Sequence, residues 1–416
     1  MRILIATSHR NLVGGAEKYL QQILPCLAER GHQLALLYEY RFDPQRERID
    51  PLDLVISSLG IQETGVDAGL RFVRDWKPEV VYSQGLDDAG LQSALLNEHK
   101  TVFYAHNYVG TCASGEKCHA FPSPQPCDRK FGAMCLALYY PRRCGGLNPA
   151  TMWKMYQRSS ERNAQLPRYA AVLVASDHMR REYERHGVSP EKIHLTPLPN
   201  PHEGAELAWS AKAASRSRLL FMGRLTKLKG TGRLLEAIPL AQKRLGRTLQ
   251  LTIAGDGPER QGLEELARRR EVQAQFTGWV GGRQKLDLIQ QADLLAVPSL
   301  WPEPFGLVGI EAGAYGIPAV AFDVGGISDW LIPGLSGELA PGNPPTSEGL
   351  AEAITSALSG PSHYAGLCRG AREIAARFTL AAHISRLENT LKSVAGIADP
   401  MPAAVGRGDE NTHAEA

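Results

Sequence analysis

Short apolar runs recur along the chain at the length of buried strands. The first, "RILIATS" (2–8), passes through "HRNLVGGAE" into a segment of helix period from Glu17 to Arg30. That segment stops at Gly31, where a helix-ending glycine belongs. "HQLALLYE" (32–39), "VVYSQG" (80–85), "TVFYAH" (101–106) and "AVLVAS" (171–176) repeat the strand, each followed by a polar or helical stretch. This alternation predicts a parallel sheet with helices on both faces, which binds ligands at the carboxyl ends of its strands. "HLTPLPNPHEGAEL" (194–207) is proline-rich and aperiodic and reads as a linker with a hinge near Asn200. The alternation then restarts with "RLLFMGRL" (218–225), "LQLTIAGDGP" (249–258), "AQFTGWV" (274–280), "LLAVPS" (294–299) and "PAVAFDVGG" (318–326). The expected fold class is therefore α/β, with two Rossmann-like domains, 1–200 and 201–378, facing across a cleft. A C-terminal helix is expected at 379–395, and 396–416, which has neither pattern nor apolar content, is expected to be a disordered tail.

Length agrees with this division, since 416 residues exceed one comfortable core and fit two domains of about 200. Hydrophobic residues at 43% and charged residues at 22% are ordinary for a soluble globular enzyme. No apolar run reaches the roughly 18 residues of a membrane helix, and "MRILIA" is too short for a secretion signal, which points to the cytoplasm. The formal charge of +2 excludes nothing, but from Arg129 to Lys192 there are 12 Lys and Arg against 5 Asp and Glu. That stretch reads either as a solvated face or as a patch for anionic membrane lipid on the inner face of the cell membrane. No nucleic-acid partner is expected.

Candidate chemistry lies in the second half. In "FMGRLTKLKG" a strand ending at Gly223 is followed by Arg224 and Lys229, two cations at the carboxyl edge of the second sheet. They suit a diphosphate, arginine as a planar fork and lysine as a mobile point charge; the plainer alternative is a solvated loop. "IAGDGP" (253–258) is a glycine turn and not a dinucleotide fingerprint, because no third spaced glycine opens a helix there. "WPEPFGLVGIEA" begins a helix near Phe305, whose first-turn N–H groups form a seat for phosphate oxygens, and Gly306 permits close approach. Glu303 precedes that turn and Glu311 lies a little under two turns beyond Phe305. A carboxylate accepts two hydrogen bonds side by side, so the pair suits a ribose diol at one end of a diphosphate and hexose hydroxyls at the other. Helix capping by Glu303 and a surface position for Glu311 are the bland alternative.

Together, "NLVGGAE", "AHN", "PLPNPHE", "GRLTKLKG", "IAGDGP", "FTGWV", "EPFGLVGIEA" and "AYGIPAVAFDVGGISDWL" resemble a known family over nearly the whole chain. They are similar to the retaining, nucleotide-sugar-dependent glycosyltransferases of the GT-B fold, family 4 or glycosyl transferases group 1. Glu303 and Glu311, with seven residues between them, match that family's paired-glutamate signature. The resemblance implies that Arg224 and Lys229 neutralise the donor diphosphate and that the amides around Phe305, Gly306 and Leu307 touch its oxygens. It implies that Glu311 holds the ribose hydroxyls and Glu303 those of the transferred sugar. Gly14 and Gly15 would let the first loop approach the diphosphate and acceptor, His106 would face the reacting carbon, and Trp279 and Val280 would lie near the nucleobase. The chain departs from the family pattern at His106-Asn107, often His-Asp, and at "NPHE", often Asn-Gly-Val-Asp. Both departures bear on acceptor pocket and hinge.

The implied activity is transfer of a sugar, with retained configuration, from a nucleotide-diphosphate sugar to a hydroxyl of a glycan, lipid-linked sugar or small metabolite. The implied setting is bacterial-type cell-surface polysaccharide or glycoconjugate synthesis. His106, Glu303, Arg224 and Lys229 carry the catalytic expectation, with no cofactor required and no dedicated nucleophile. A catalytically silent nucleotide- or glycan-binding module and a nucleotide-sugar epimerase of the same fold are the alternatives. The complete set of cations and carboxylates argues against the silent one.

Cys112, Cys118, Cys127, Cys135 and Cys144 crowd an insert at 107–148, directly after His106. In a reducing compartment they suggest a structural zinc held by four thiolates, or by three and His119. Their spacing lacks paired C-x2-C knuckles, and an acceptor-side loop with free thiols is the other reading.

Overall fold

The computed structural model describes residues 1–51, 54, 56–202 and 216–397. The first half holds β1 (Arg2–Thr7), β2 (Gln33–Tyr38), β3 (Ser57–Gly60), β4 (Val80–Ser83) and β5 (Thr101–Ala105). A short hairpin, β6 (Cys118–His119) with β7 (Gln125–Pro126), lies in the insert, and β8 (Ala171–Val174) and β9 (Ile193–Leu195) follow. The second half holds β10 (Arg218–Met222), β11 (Gln250–Ala254), β12 (Gln273–Gly278), β13 (Leu294–Val297), β14 (Ala319–Phe322) and β15 (Gly337–Ala340). Two sheets result, in the orders β3-β2-β1-β4-β5-β8-β9 and β12-β11-β10-β13-β14-β15. Central pairs run parallel, as in Ile5 opposite Tyr82 and Leu220 opposite Leu295.

Their apolar runs are explained by burial on both faces, since Ile3, Leu4, Ile5 and Ala6 of β1 are all fully buried. Strand order reverses between β1 and β4 and again between β10 and β13. In sheets of this kind a crevice opens outside the carboxyl ends at such a reversal. The sequence patterns located ten of these strands and missed β3, β9, β15 and the insert hairpin. β9 corrects the linker reading, because the stretch from His194 begins inside a strand paired to β8. Three residues on a sheet edge are too few to display a period of two. Positions 203–207 of that stretch, and 398–416 of the expected tail, lie outside the described residues.

The C-terminal helix, Leu380–Ala395, packs on the first sheet rather than the second, with Ile384, Leu387 and Leu391 buried among Ile3, Tyr82 and their neighbours. Its Glu388 accepts hydrogen bonds from Arg30 at 2.5 Å and Lys392 at 2.6 Å. Burial opposes the charge of Glu388, yet these partners bring its carboxyl down to about 2. Asn200, where the hinge was expected, is buried, its amide donating to Phe378 O at 2.8 Å and its Nδ2 to Ile310 O at 3.3 Å. The two halves also meet where Ser176 Oγ donates to Pro304 O at 2.6 Å and the Asp177 amide to Asp329 Oδ2 at 2.7 Å.

Candidate active site

A cleft of about 1050 Å³ is lined by residues that follow strand ends in both sheets. Gly15 and Tyr19 come from the segment after β1, His106 from the end of β5, Lys229 from the loop after β10, and Glu303 to Glu311 from the segment after β13. β1, β10 and β13 flank the two reversals of order, where the topology opens a crevice, and β5 lies one strand beyond β4.

Lys229 ends a single 3-10 turn, Lys227–Lys229. Gly230 closes it at φ 67°, and a Cβ there would stand 1.8 Å from Pro298 O, so only glycine lets this loop lie against the end of β13. Lys229 Nζ donates to Glu303 Oε1 at 2.6 Å and sits 5.3 Å from the centre of the Trp301 ring. Ser299 Oγ donates to the same oxygen at 2.5 Å, and Glu303 is 6% exposed. The Glu303 backbone is held from behind, where the Gly326 amide donates to its carbonyl at 2.7 Å. Gly325, at φ 64°, packs so closely that a Cβ would fall 2.2 Å from the same oxygen.

The helix expected near Phe305 runs Leu307–Ala314, beginning two residues later because Gly306 takes the left-handed conformation at φ 87°. Phe305 instead offers its carbonyl to Trp330 Nε1 at 2.6 Å. The first-turn amides of Leu307 and Val308, which have no acceptor within the helix, belong to residues lining the cleft. Glu311 is 7% exposed, and both of its carboxylate oxygens lie 2.7 Å from Lys285 Nζ. Lys285, in the helix Gly282–Gln291, was not anticipated. It lies 26 positions before Glu311, and no local spacing announces the pair.

On the opposite wall, burial with His383 nearby pushes His106 down to about 3, so the ring is neutral. Its Nε2 stands 2.7 Å from Gln84 Oε1. An amide oxygen only accepts, so Nε2 carries the proton and Nδ1 remains an acceptor. Tyr19 packs edge-on against His106, with ring centres 5.2 Å apart, and its hydroxyl joins Tyr82 Oη at 2.7 Å and His383 Nε2 at 2.9 Å.

His106, Lys229, Glu303, Phe305, Gly306, Leu307, Glu311 and Gly15 are thus brought together. Gly14, Arg224, Trp279 and Val280 are not among the residues lining the cleft. The Gly14 amide is taken by Glu17 Oε2 at 2.8 Å. Arg224 is exposed, Trp279 is 73% exposed, and Val280 packs against the core of the second half.

The zinc set expected from Cys112, Cys118, Cys127, Cys135, Cys144 and His119 is not assembled. Among the described residues no three His, Cys, Asp or Glu side chains gather as for a metal ion, and all seven cysteines are free. The thiols are spent locally. Cys118 Sγ donates to Gln125 O at 3.1 Å across the hairpin, and Cys112 Sγ accepts the Lys117 amide at 3.4 Å. Burial pushes Cys144 up to about 11 and Cys118 up to about 12, so both keep their protons. No helix among the described residues is long and apolar enough to cross a membrane.

Comparison with known proteins agrees with this architecture. Glycogen synthase of Mycobacterium tuberculosis is 34% identical over 191 residues, 44% of this chain and 44% of that one. The chain therefore aligns with less than half the length of that relative. Alpha-D-kanosaminyltransferase of Streptomyces kanamyceticus is 28% identical over 288 residues, 65% of this chain and 73% of that one. Among solved structures, sucrose-phosphate synthase of Thermosynechococcus elongatus superposes with a TM-score of 0.69 at 21% identity, covering 95% of this chain and all of that one. HepE of Anabaena in complex with UDP superposes with a TM-score of 0.66 at 19% identity, covering 94% of this chain and all of that one. Residues 13–199 match the model of Glycosyltransferase Family 4 and residues 208–374 that of Glycosyl transferases group 1. Spanning both sheets with these two matches, the chain belongs to the family 4, group 1 glycosyltransferases of the GT-B fold.

Proposed function

We propose that the chain moves a sugar from a nucleoside-diphosphate sugar to an acceptor hydroxyl, with retention at the anomeric carbon. The observation that carries this reading is the pair of buried carboxylates, Glu303 and Glu311, each held by a lysine, on either side of the helix start at Gly306. Diphosphate oxygens meet the amides of Leu307 and Val308 and the charge of Lys229. Glu311 takes the ribose diol, and Glu303 takes hydroxyls of the transferred sugar. Residues 1–200 receive the acceptor and 201–378 the donor.

Breaking the bond between the anomeric carbon and the phosphate oxygen leaves an oxocarbenium-like sugar, and the electron pair passes to the diphosphate. Lys229 and the helix start stabilise that growing negative charge. The acceptor oxygen attacks from the face the phosphate leaves, and the departing phosphate takes its proton. Neutral His106 offers Nδ1 to a sugar hydroxyl without placing a second positive charge beside the oxocarbenium. Closure about Asn200 excludes water that would otherwise hydrolyse the donor. The reading is supported by the names of the relatives, all glycosyl-transferring enzymes, and by UDP and glucose in a HepE complex. The acceptor belongs to a glycan, a lipid-linked sugar or a small metabolite.

Consumption of nucleotide-sugar with and without acceptor tests this reading. Turnover is expected only with acceptor. Glu303→Gln is expected to lower it about 10- to 100-fold, the loss of one hydrogen bond to a charged group, while nucleotide binding persists. Acceptor-independent turnover would favour an epimerase, and unchanged transfer in the variant would remove Glu303 from its role.

A further inference from the structure

Behind the segment that carries Glu303 lies a second cavity, of about 500 Å³. The insert, the helix Asp177–Arg185 and loops of the second half all contribute to its wall, and so does Pro302. Pro302 adjoins Glu303, which lines the main cleft, so one strip of chain separates the two spaces. That strip is fastened from within. Tyr108 Oη donates to Pro302 O at 2.5 Å, and His178 Nε2, 2.9 Å from the same hydroxyl, supplies the remaining proton.

Four arginines line this cavity: Arg129, Arg142, Arg181 and Arg185. Arg185 is occupied by Glu182 at 3.5 Å and by the Asp128 carbonyl. Glu182 is itself held by Lys117 at 2.5 Å. The guanidiniums of Arg129, Arg142 and Arg181 have no hydrogen bond or ion pair among the described residues. Arg129 and Arg181 are exposed at the rim and Arg142 is half-buried, whereas Arg10 and Arg218 each grip an aspartate with two nitrogens. Two carboxylates, Asp128 and Asp323, stand exposed at the same cavity and likewise pair with none of these three guanidiniums. The arginines are felt by the neighbouring histidines: after burial, Arg142 and Arg129 depress His119, with Asp128 opposing them, and Arg181, Lys117 and Arg185 help bring His178 down to about 4.

We propose that this cavity is an oxyanion subsite that receives a phosphate or diphosphate group carried by the acceptor. Planar guanidinium forks match phosphate oxygens two at a time, and three unpaired forks around one cavity suit a group with several such oxygens. Both halves build the wall, so an anion seated there bridges them beside the sugar-binding carboxylate. The inference rests on the transfer reading above.

Calorimetric titration with inorganic pyrophosphate tests it on wild type, on Arg142→Gln/Arg181→Gln, and on Lys229→Ala, which removes the donor-site cation. Pyrophosphate is expected to bind wild type at the donor seat and at the subsite; Lys229→Ala keeps the subsite, and the double variant binds there at least about tenfold more weakly, two charged hydrogen-bonding groups having been lost. Thermal midpoint and UDP affinity of the double variant are expected to stay at wild-type values. Equal pyrophosphate binding in the double variant, or loss only in Lys229→Ala, would overturn the subsite. Absence of nucleotide binding in wild type would instead count against the transfer reading. Competition then separates the sources. Displacement by glucose 1-phosphate indicates a soluble acceptor phosphate, and displacement by phosphatidylcholine vesicles only when they contain phosphatidic acid indicates a lipid headgroup. Displacement by neither would contradict an acceptor-borne phosphate.

Discussion

Each of the two site carboxylates is already paired before any ligand arrives. Glu303 shares one oxygen between Lys229 and Ser299, and Glu311 gives both to Lys285. Each lysine therefore fixes the direction in which its glutamate points into the cleft. For Lys285 this predicts a positioning role. Lys285→Ala is expected to weaken nucleotide binding about three- to tenfold, by loss of one charge-assisted contact, with kcat nearly unchanged. Equal nucleotide affinity in the variant, measured by calorimetry, would show that Glu311 does not depend on it. The place of Glu303 and Glu311 in the cleft was legible because they stand eight positions apart around a glycine turn, and that of Lys229 because it follows a strand-end glycine. Lys285, like Tyr19 and Gln84 beside His106, was not, because tertiary packing rather than spacing brings it in.

At the scale of elements, the site depends on turns that only glycine permits. "DVGG" reads locally as a strand end, yet in the folded chain its Gly325 is the surface against which Glu303 is laid. Gly325→Ala is expected to cost on the order of 1–3 kcal/mol, since φ 64° disfavours any Cβ and the space is already filled by backbone. Gly146→Ala, exposed and with open space around it, is expected to change stability by less than about 0.5 kcal/mol. Urea midpoints of the two variants check this, and equal midpoints would contradict it. The long buried strands declared themselves by apolar runs. β3, β9 and β15, at three or four residues on or near sheet edges, did not. Of the two readings of the cysteine-rich insert, free thiols and a zinc set, the fold agrees with the first: Cys144 Sγ comes within 3.6 Å of His119 Nδ1, but among the described residues no group gathers as for a metal ion.

Across the whole molecule, three histidines are strongly desolvated: His383, buried on the C-terminal helix, and His106 and His178, both half-buried. Burial lowers His106 to about 3 and His178 and His383 to about 4, from 6.5. Below pH 6.5 the unfolded chain therefore binds protons that the folded chain refuses, and stability falls as pH falls toward 4. Each histidine contributes up to about 1.4 kcal/mol per pH unit in that window. Urea unfolding between pH 7 and pH 5 is expected to show this loss, with His383→Gln flattening the slope; a pH-independent midpoint would contradict it. His383 also ties Pro197 O, at 2.7 Å, to Tyr19 in the cleft wall, so the C-terminal helix braces the segment that joins the two halves. Its helix period was visible in the sequence, but not the sheet it would return to.

The central claim, that a nucleoside diphosphate sits between Glu303 and Glu311, is tested most directly by calorimetric titration of wild type and Glu311→Gln with UDP, GDP and ADP. One of the three is expected to bind wild type at one site per chain and to bind the variant at least about threefold more weakly. Absence of binding by all three, or equal affinity in the variant, would contradict the assignment.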